Sequence, residues 1–207
     1  MKMKLFIAFL LTSQTICSQP LYKVTEDYFR QDPFKTEFSQ FLNKLISDPA
    51  LTEKEIKKKN DSTLFFLQGI YKSHSPFFFP ATHCKVILAE RQEFADSLSN
   101  EAYTYFVYQL IGYAAPGEEG LKDIKQEFER LNRRLKKGLD PLDQKQLTRG
   151  NEQSGSIINY AFRNIAFYPL TIAWATSADK KENIVALSIR FFMMDNTAYL
   201  PIPSNSP

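Results

Sequence analysis

Asn100-Glu101-Ala102-Tyr103-Thr104-Tyr105-Phe106-Val107-Tyr108-Gln109-Leu110-Ile111-Gly112-Tyr113 is the stretch on which the fold turns. Read as a helix capped by Ser99, it carries a core stripe of Tyr103, Phe106, Val107 and Leu110. Tyr105, Tyr108 and Ile111 make the remaining surface apolar as well, and only Glu101, Thr104 and Gln109 are clearly polar. A helix that is apolar nearly all round is covered on more than one side. The spacing therefore predicts a buried helix over 100–113.

Upstream, Asp32 can cap a helix and Pro33 suits its first position. Phe34, Phe38, Phe41, Leu42 and Leu45 share one face, and Ser47-Asp48-Pro49 ends the element. The charged run from Glu53 to Lys59, ending at Asn60-Asp61, reads as a solvated turn or short helix. Residues 63–71 and 82–90 read as two strands, rich in Phe, Ile, Val and Leu.

Downstream, the turn 115–120 leads into a helix with Leu121, Ile124, Phe128, Leu131 and Leu135 at alternating steps of three and four. Gly138 ends it, and Arg133, Arg134, Lys136 and Lys137 suit the negative end of its dipole. Residues 140–155 are polar and read as a mobile loop. Residues 157–176 are strand material, either two strands or one bent at Pro169, and 177–183 form a hairpin connector to a return strand over 184–194. No internal repeat is visible. The expected class is α+β, with an antiparallel sheet of about four to five strands packed against three main helices.

Composition narrows the class of protein. The chain has 207 residues, a net charge of +3, 43% hydrophobic and 24% charged residues, which fits one globular domain with a core. Lys2 and Lys4 precede the apolar run Leu5–Leu11, the layout of a secretory signal peptide over 1–18. Cleavage after Ser18 leaves a single domain over 19–207. It also removes Lys2 and Lys4, so the charge falls by two, from +3 to +1. That weakens any case for nucleic acid as partner. Cys17 as a lipidated first residue is the alternative processing. Only Cys84 then remains as an internal thiol, and no second stretch approaches the length of a membrane span.

Motifs that carry chemistry are sparse. The seven glycines form neither a phosphate-binding loop nor a dinucleotide fingerprint, and no nucleophile elbow or zincin pair occurs. His74, His83 and Cys84 are the one concentration of reactive side chains. Their spacing matches no familiar metal or thiol site, and a strand residue rarely meets its sequence neighbour's side chain. Glu90, Glu93 and Asp96 offer carboxylates with no fixed separation. Arg130, Arg133, Arg134, Lys136 and Lys137 share their helix with Asp123, Glu127 and Glu129, which reads as a solvated face. Asn60-Asp61-Ser62 matches a glycosylation acceptor that matters only in a eukaryotic secretory route.

Phe77-Phe78-Phe79 between Pro76 and Pro80 is the most distinctive feature. Flanking prolines hold it extended, so the rings cannot all point one way. They either close the end of the core or leave one or two rings outside as an anchor. Phe77, Phe78, Phe79 and His74 are accordingly the candidate ligand or partner contacts. No catalytic residue, metal or cofactor is expected. The function read from the chain is that of an exported, periplasmic or envelope-associated binding or accessory protein. Its expected partner is another envelope or secreted protein. The rival readings are a hydrolase with a cleft near His74, His83, Glu90 and Glu93, or a carrier of a small apolar ligand.

Overall fold

The computed structural model describes Val24, Asp27, Tyr28 and residues 38–60, 63–72, 77, 79–94, 102–161, 170–179 and 181–192. The expected signal peptide, Cys17, His74 and Phe78 lie outside the described residues. In chain order the elements are α1 (Phe38–Ser47), β1 (Leu51–Asn60), β2 (Thr63–Tyr71), β3 (His83–Phe94), β4 (Ala102–Ala114), α2 (Glu118–Leu135), β5 (Asp140–Arg149), β6 (Glu152–Ala161), β7 (Leu170–Thr176) and β8 (Asn183–Phe192). All eight strands form one antiparallel sheet in the order β1-β2-β3-β4-β8-β7-β6-β5.

This overturns the expected four to five strands on three helices. The molecule is mostly β, with α1 and α2 as its two fully described helices. The decisive change is at 100–113, which is strand β4. Its period is two: Tyr105, Val107, Gln109, Ile111 and Tyr113 face one side, Phe106, Tyr108, Leu110 and Gly112 the other. Both sides are apolar because β4 lies in the middle of the sheet, between β3 and β8. Apolarity on all sides, read as a buried helix, was that of an interior strand rich in aromatic and β-branched residues. The charged run in 53–59 and the polar 140–155 are likewise strands. They sit in β1, β5 and the start of β6, and β1 and β5 are the two sheet edges. An edge strand with little helix above it has no apolar alternation to display.

Each half of the chain repeats one plan, a helix followed by a four-stranded meander. The halves meet antiparallel where β4 pairs β8, with Leu110 opposite Leu187. A pseudo-two-fold axis normal to the sheet therefore passes between these strands. The residues do not repeat, only the path.

Both helices cover the same face. Phe41, Leu42 and Leu45 of α1 are buried, and Phe41 meets Tyr108 edge-on at 5.1 Å. Ile124, Phe128, Leu131 and Leu135 of α2, spaced along one face as the sequence suggests, complete the layer over β7 and β8. Beneath them the inward residues include Leu67, Val86, Leu88, Leu110, Ile158, Ile172 and Leu187. Among the described residues, no helix is long and apolar enough to cross a membrane.

The turn before α2 is fixed by one buried amide. Asn183 donates to the carbonyls of Ala115 (2.9 Å) and Gly117 (3.0 Å), while Thr176 donates to its Oδ1 (2.7 Å). The segment around Tyr28 is tied to α2 by charge. Tyr28 donates to Glu127 Oε1 (2.6 Å), Arg130 donates to both carboxylate oxygens and to the Tyr28 hydroxyl, and Arg134 pairs with Asp27 at 2.5 Å. Burial raises the pKa of Tyr28, Tyr108 and Tyr160 well above the ordinary phenol value. At Tyr28 the Glu127 carboxylate adds to that effect, and at Tyr160 the charge of Glu129 does so. Tyr108, wholly enclosed, is raised first by burial and then by Tyr71 and Asp48.

A raised folded value means the stability from these groups is complete below about pH 10 and is lost as pH rises beyond it, because only the unfolded chain ionises there. Alkaline unfolding should therefore start above about pH 10, with the last tyrosinate absorbance appearing in the same transition as loss of the far-ultraviolet signal. Complete tyrosine titration before any unfolding would contradict this assignment.

Candidate interaction face

With both helices on one side, the opposite face of the sheet carries the side chains of alternate strand residues. Two apolar rows cross it. One runs Ile70, Ile111, Ala186, Ala173 and Ile157, interrupted by Lys85, and the next includes Tyr113, Ile184 and Ala175. All of these side chains keep partial exposure. Apolar rows on a sheet face away from the helices are the kind of patch that marks an interaction surface.

A polar row lies beside them. Pairing register places Glu55, Gln68, Ile87, Gln109, Ser188, Thr171, Asn159 and Asp143 side by side across all eight strands. Gln68 donates to Glu55, Gln109 to Ser188 (3.2 Å), Thr171 to Asn159 (2.6 Å) and Asn159 to Asp143 (2.7 Å). The row obeys the pseudo-two-fold: a carboxylate at each edge, an amide next to it, and Gln109 with Ser188 at the centre. Lys57 bonds Glu55 at 3.1 Å and holds its carboxyl below the ordinary range. The row sets donors and acceptors across the face at strand spacings of about 4.7–4.9 Å.

At one end of this face is a cleft of about 540 Å³ lined by Gln68, Ile70, His83, Lys85, Tyr113 and Glu182, among others. His83 stacks on Tyr113 with ring centres 4.2 Å apart. A smaller cleft of about 320 Å³ lies on the helix side, where Lys125 sits 4.8 Å over the Trp174 ring.

The residues singled out from the sequence are distributed as follows. Phe77 and Phe79 are buried, 5% and 8% exposed, and stack on each other at 5.7 Å in the core. Cys84 is buried on the helix side. His83 faces the other side, so the adjacent thiol and imidazole point apart, as strand alternation requires. His83 and Glu90 also lie on opposite faces, roughly 23 Å apart along β3. The structure does not bring them to one cleft. Among the described residues no group of three His, Cys, Asp or Glu is placed to hold a metal ion. In the basic stretch of α2, Arg130 and Arg134 are engaged by Glu127 and Asp27. The polar row was not found from sequence. Its polar members are single residues in seven separate strands, with Ile87 of β3 between them, joined only by register.

No protein family, curated protein or solved structure matches this chain.

Proposed function

We propose that the chain is an exported binding protein without a catalytic centre, which works by docking another protein on the helix-free face of its sheet. The observation that carries this reading is the pair of apolar rows through Ile111, Ile184, Ala186 and Ile157, flanked by the ordered polar row. Export rests on Lys2, Lys4 and the run Leu5–Leu11, and an envelope or secreted protein is the corresponding partner class. The cleft beside His83 carries Glu53, Lys85 and Glu182, a lining better suited to polar contacts than to an apolar ligand.

The test is site-specific photocrosslinking in cells, with the probe placed at Ile111 or Ala186 and, as control, at the exposed Gln126 of α2. One discrete adduct from the sheet positions and none from Gln126 is expected. Ile111→Lys should weaken capture of that partner about thirtyfold, or roughly 2 kcal/mol, while the melting temperature stays within a few degrees. Equal crosslinking from both faces, or capture unchanged by Ile111→Lys, would remove the sheet face as the docking surface.

A further inference from the structure

The two edges of the sheet are built differently. β1 carries Glu53, Lys54, Glu55 and Lys57, and three register irregularities and a left-handed φ of 52° at Glu53 interrupt its line. Charge and bulges of this kind protect an edge from pairing. β5 has irregularities only near its ends, after Pro141 and after Leu147. Between them Asp143–Leu147 pairs β6 in unbroken register, and among the described residues no strand pairs its outer side. The same strand holds both of the exposed large hydrophobic residues found among the described ones, Leu142 at 51% and Leu147 at 39%.

We infer that β5 is a homodimer edge, joining two copies antiparallel into one continuous sheet. A two-fold normal to the sheet must pass through a residue, so that side chains directly opposite share a face. Centred on Gln144, it sets Asp143 opposite Lys145 of the second copy, and the symmetry makes this contact twice. Centred on Asp143 or on Lys145, it would bring two like charges face to face. Leu142 and Leu147 of both copies then lie along the seam within three residues of the axis, where their exposed surface is removed from water. A second copy is the occupant because the complementary charges are already in the strand itself. The interface meets the docking face proposed above only at its margin, where Asp143 ends the polar row, and leaves the apolar rows uncovered.

Sedimentation velocity over a concentration series at low salt should find a reversible monomer–dimer equilibrium, weakened by added salt. Lys145→Glu opposes Asp143 with a carboxylate and should raise the dimer dissociation constant about tenfold, from two pairs changed from attraction to repulsion. Adding Asp143→Lys to that variant reverses both charges and should restore the dimer. Lys145 is exposed, so the melting temperature of dilute monomer should not move. A wild-type protein that stays monomeric throughout, or a dimer indifferent to Lys145→Glu, would overturn the inference.

Discussion

Replacing Arg130 by methionine should destabilise the protein by about 3–5 kcal/mol, the usual result of removing one partner from a buried ion pair. Glu127 is only 4% exposed, and the Tyr28 hydroxyl beside it is 2% exposed. Arg130 is the cation that binds that carboxylate among the described residues, through Nε at 2.8 Å and the terminal nitrogen at 2.6 Å. Methionine fills much of the volume and provides no donor, so the carboxylate would stay desolvated and lose its guanidinium partner. Burial tends to lower the guanidinium's own affinity for its proton, but the Glu127 contacts outweigh this and raise it, so the charge being removed is secure at any ordinary pH. The deciding measurement is a denaturant melt of Arg130→Met with and without Glu127→Gln. Gln needs no cation, so the double variant should recover a large part of the loss. A single variant within about 1 kcal/mol of wild type would mean that the tether between the Tyr28 segment and α2 is not held by charge.

Legibility of the sequence followed from how many neighbours each element has. α2 was read correctly because it has one wet face and one dry one, and Leu121, Ile124, Phe128, Leu131 and Leu135 mark the dry one. β2, β3 and β8 were read because Val, Ile and Phe are dense in them, and the turn at 177–183 because Ser177 and Asp179 make a local hydrogen-bonded loop. The interior strand β4 and the edge strands β1 and β5 failed for opposite reasons. One is apolar on both faces and the others are polar over most of their length, so neither kind shows a period of two. Misreading β4 removed a strand from the centre of the sheet. Without it the pairing of β3 with β8's neighbour, the equality of the two halves and the polar row could not be inferred. The reactive trio was legible in one respect only: alternation required His83 and Cys84 to point apart, and they do.

The aromatic run gives the other large effect. Phe77→Ala should cost about 3–5 kcal/mol, the range for a large ring truncated in a core. The ring is 5% exposed, lies edge-on to Tyr28 at 5.5 Å and stacked on Phe79 at 5.7 Å, and covers Gly112 of β4. Gly112 explains why a ring can lie against the middle strand at all. A Cβ there would stand 2.4 Å from Phe77 Cδ2, well inside van der Waals contact, and the packed neighbours leave the ring little room to withdraw. Gly112→Ala should therefore destabilise wild type by about 1–3 kcal/mol, although alanine is ordinarily better than glycine in a strand by roughly 0.5–1 kcal/mol. In the Phe77→Ala background the obstruction is gone and the new methyl enters the vacated space, so the same substitution should change sign and become stabilising. Urea melts of the four proteins in this cycle, compared by midpoint at constant slope, measure the coupling directly. A Phe77→Ala variant with wild-type stability and impaired partner capture would instead make the ring an outward anchor. Equal effects of Gly112→Ala in both backgrounds would mean that the ring and the glycine do not meet.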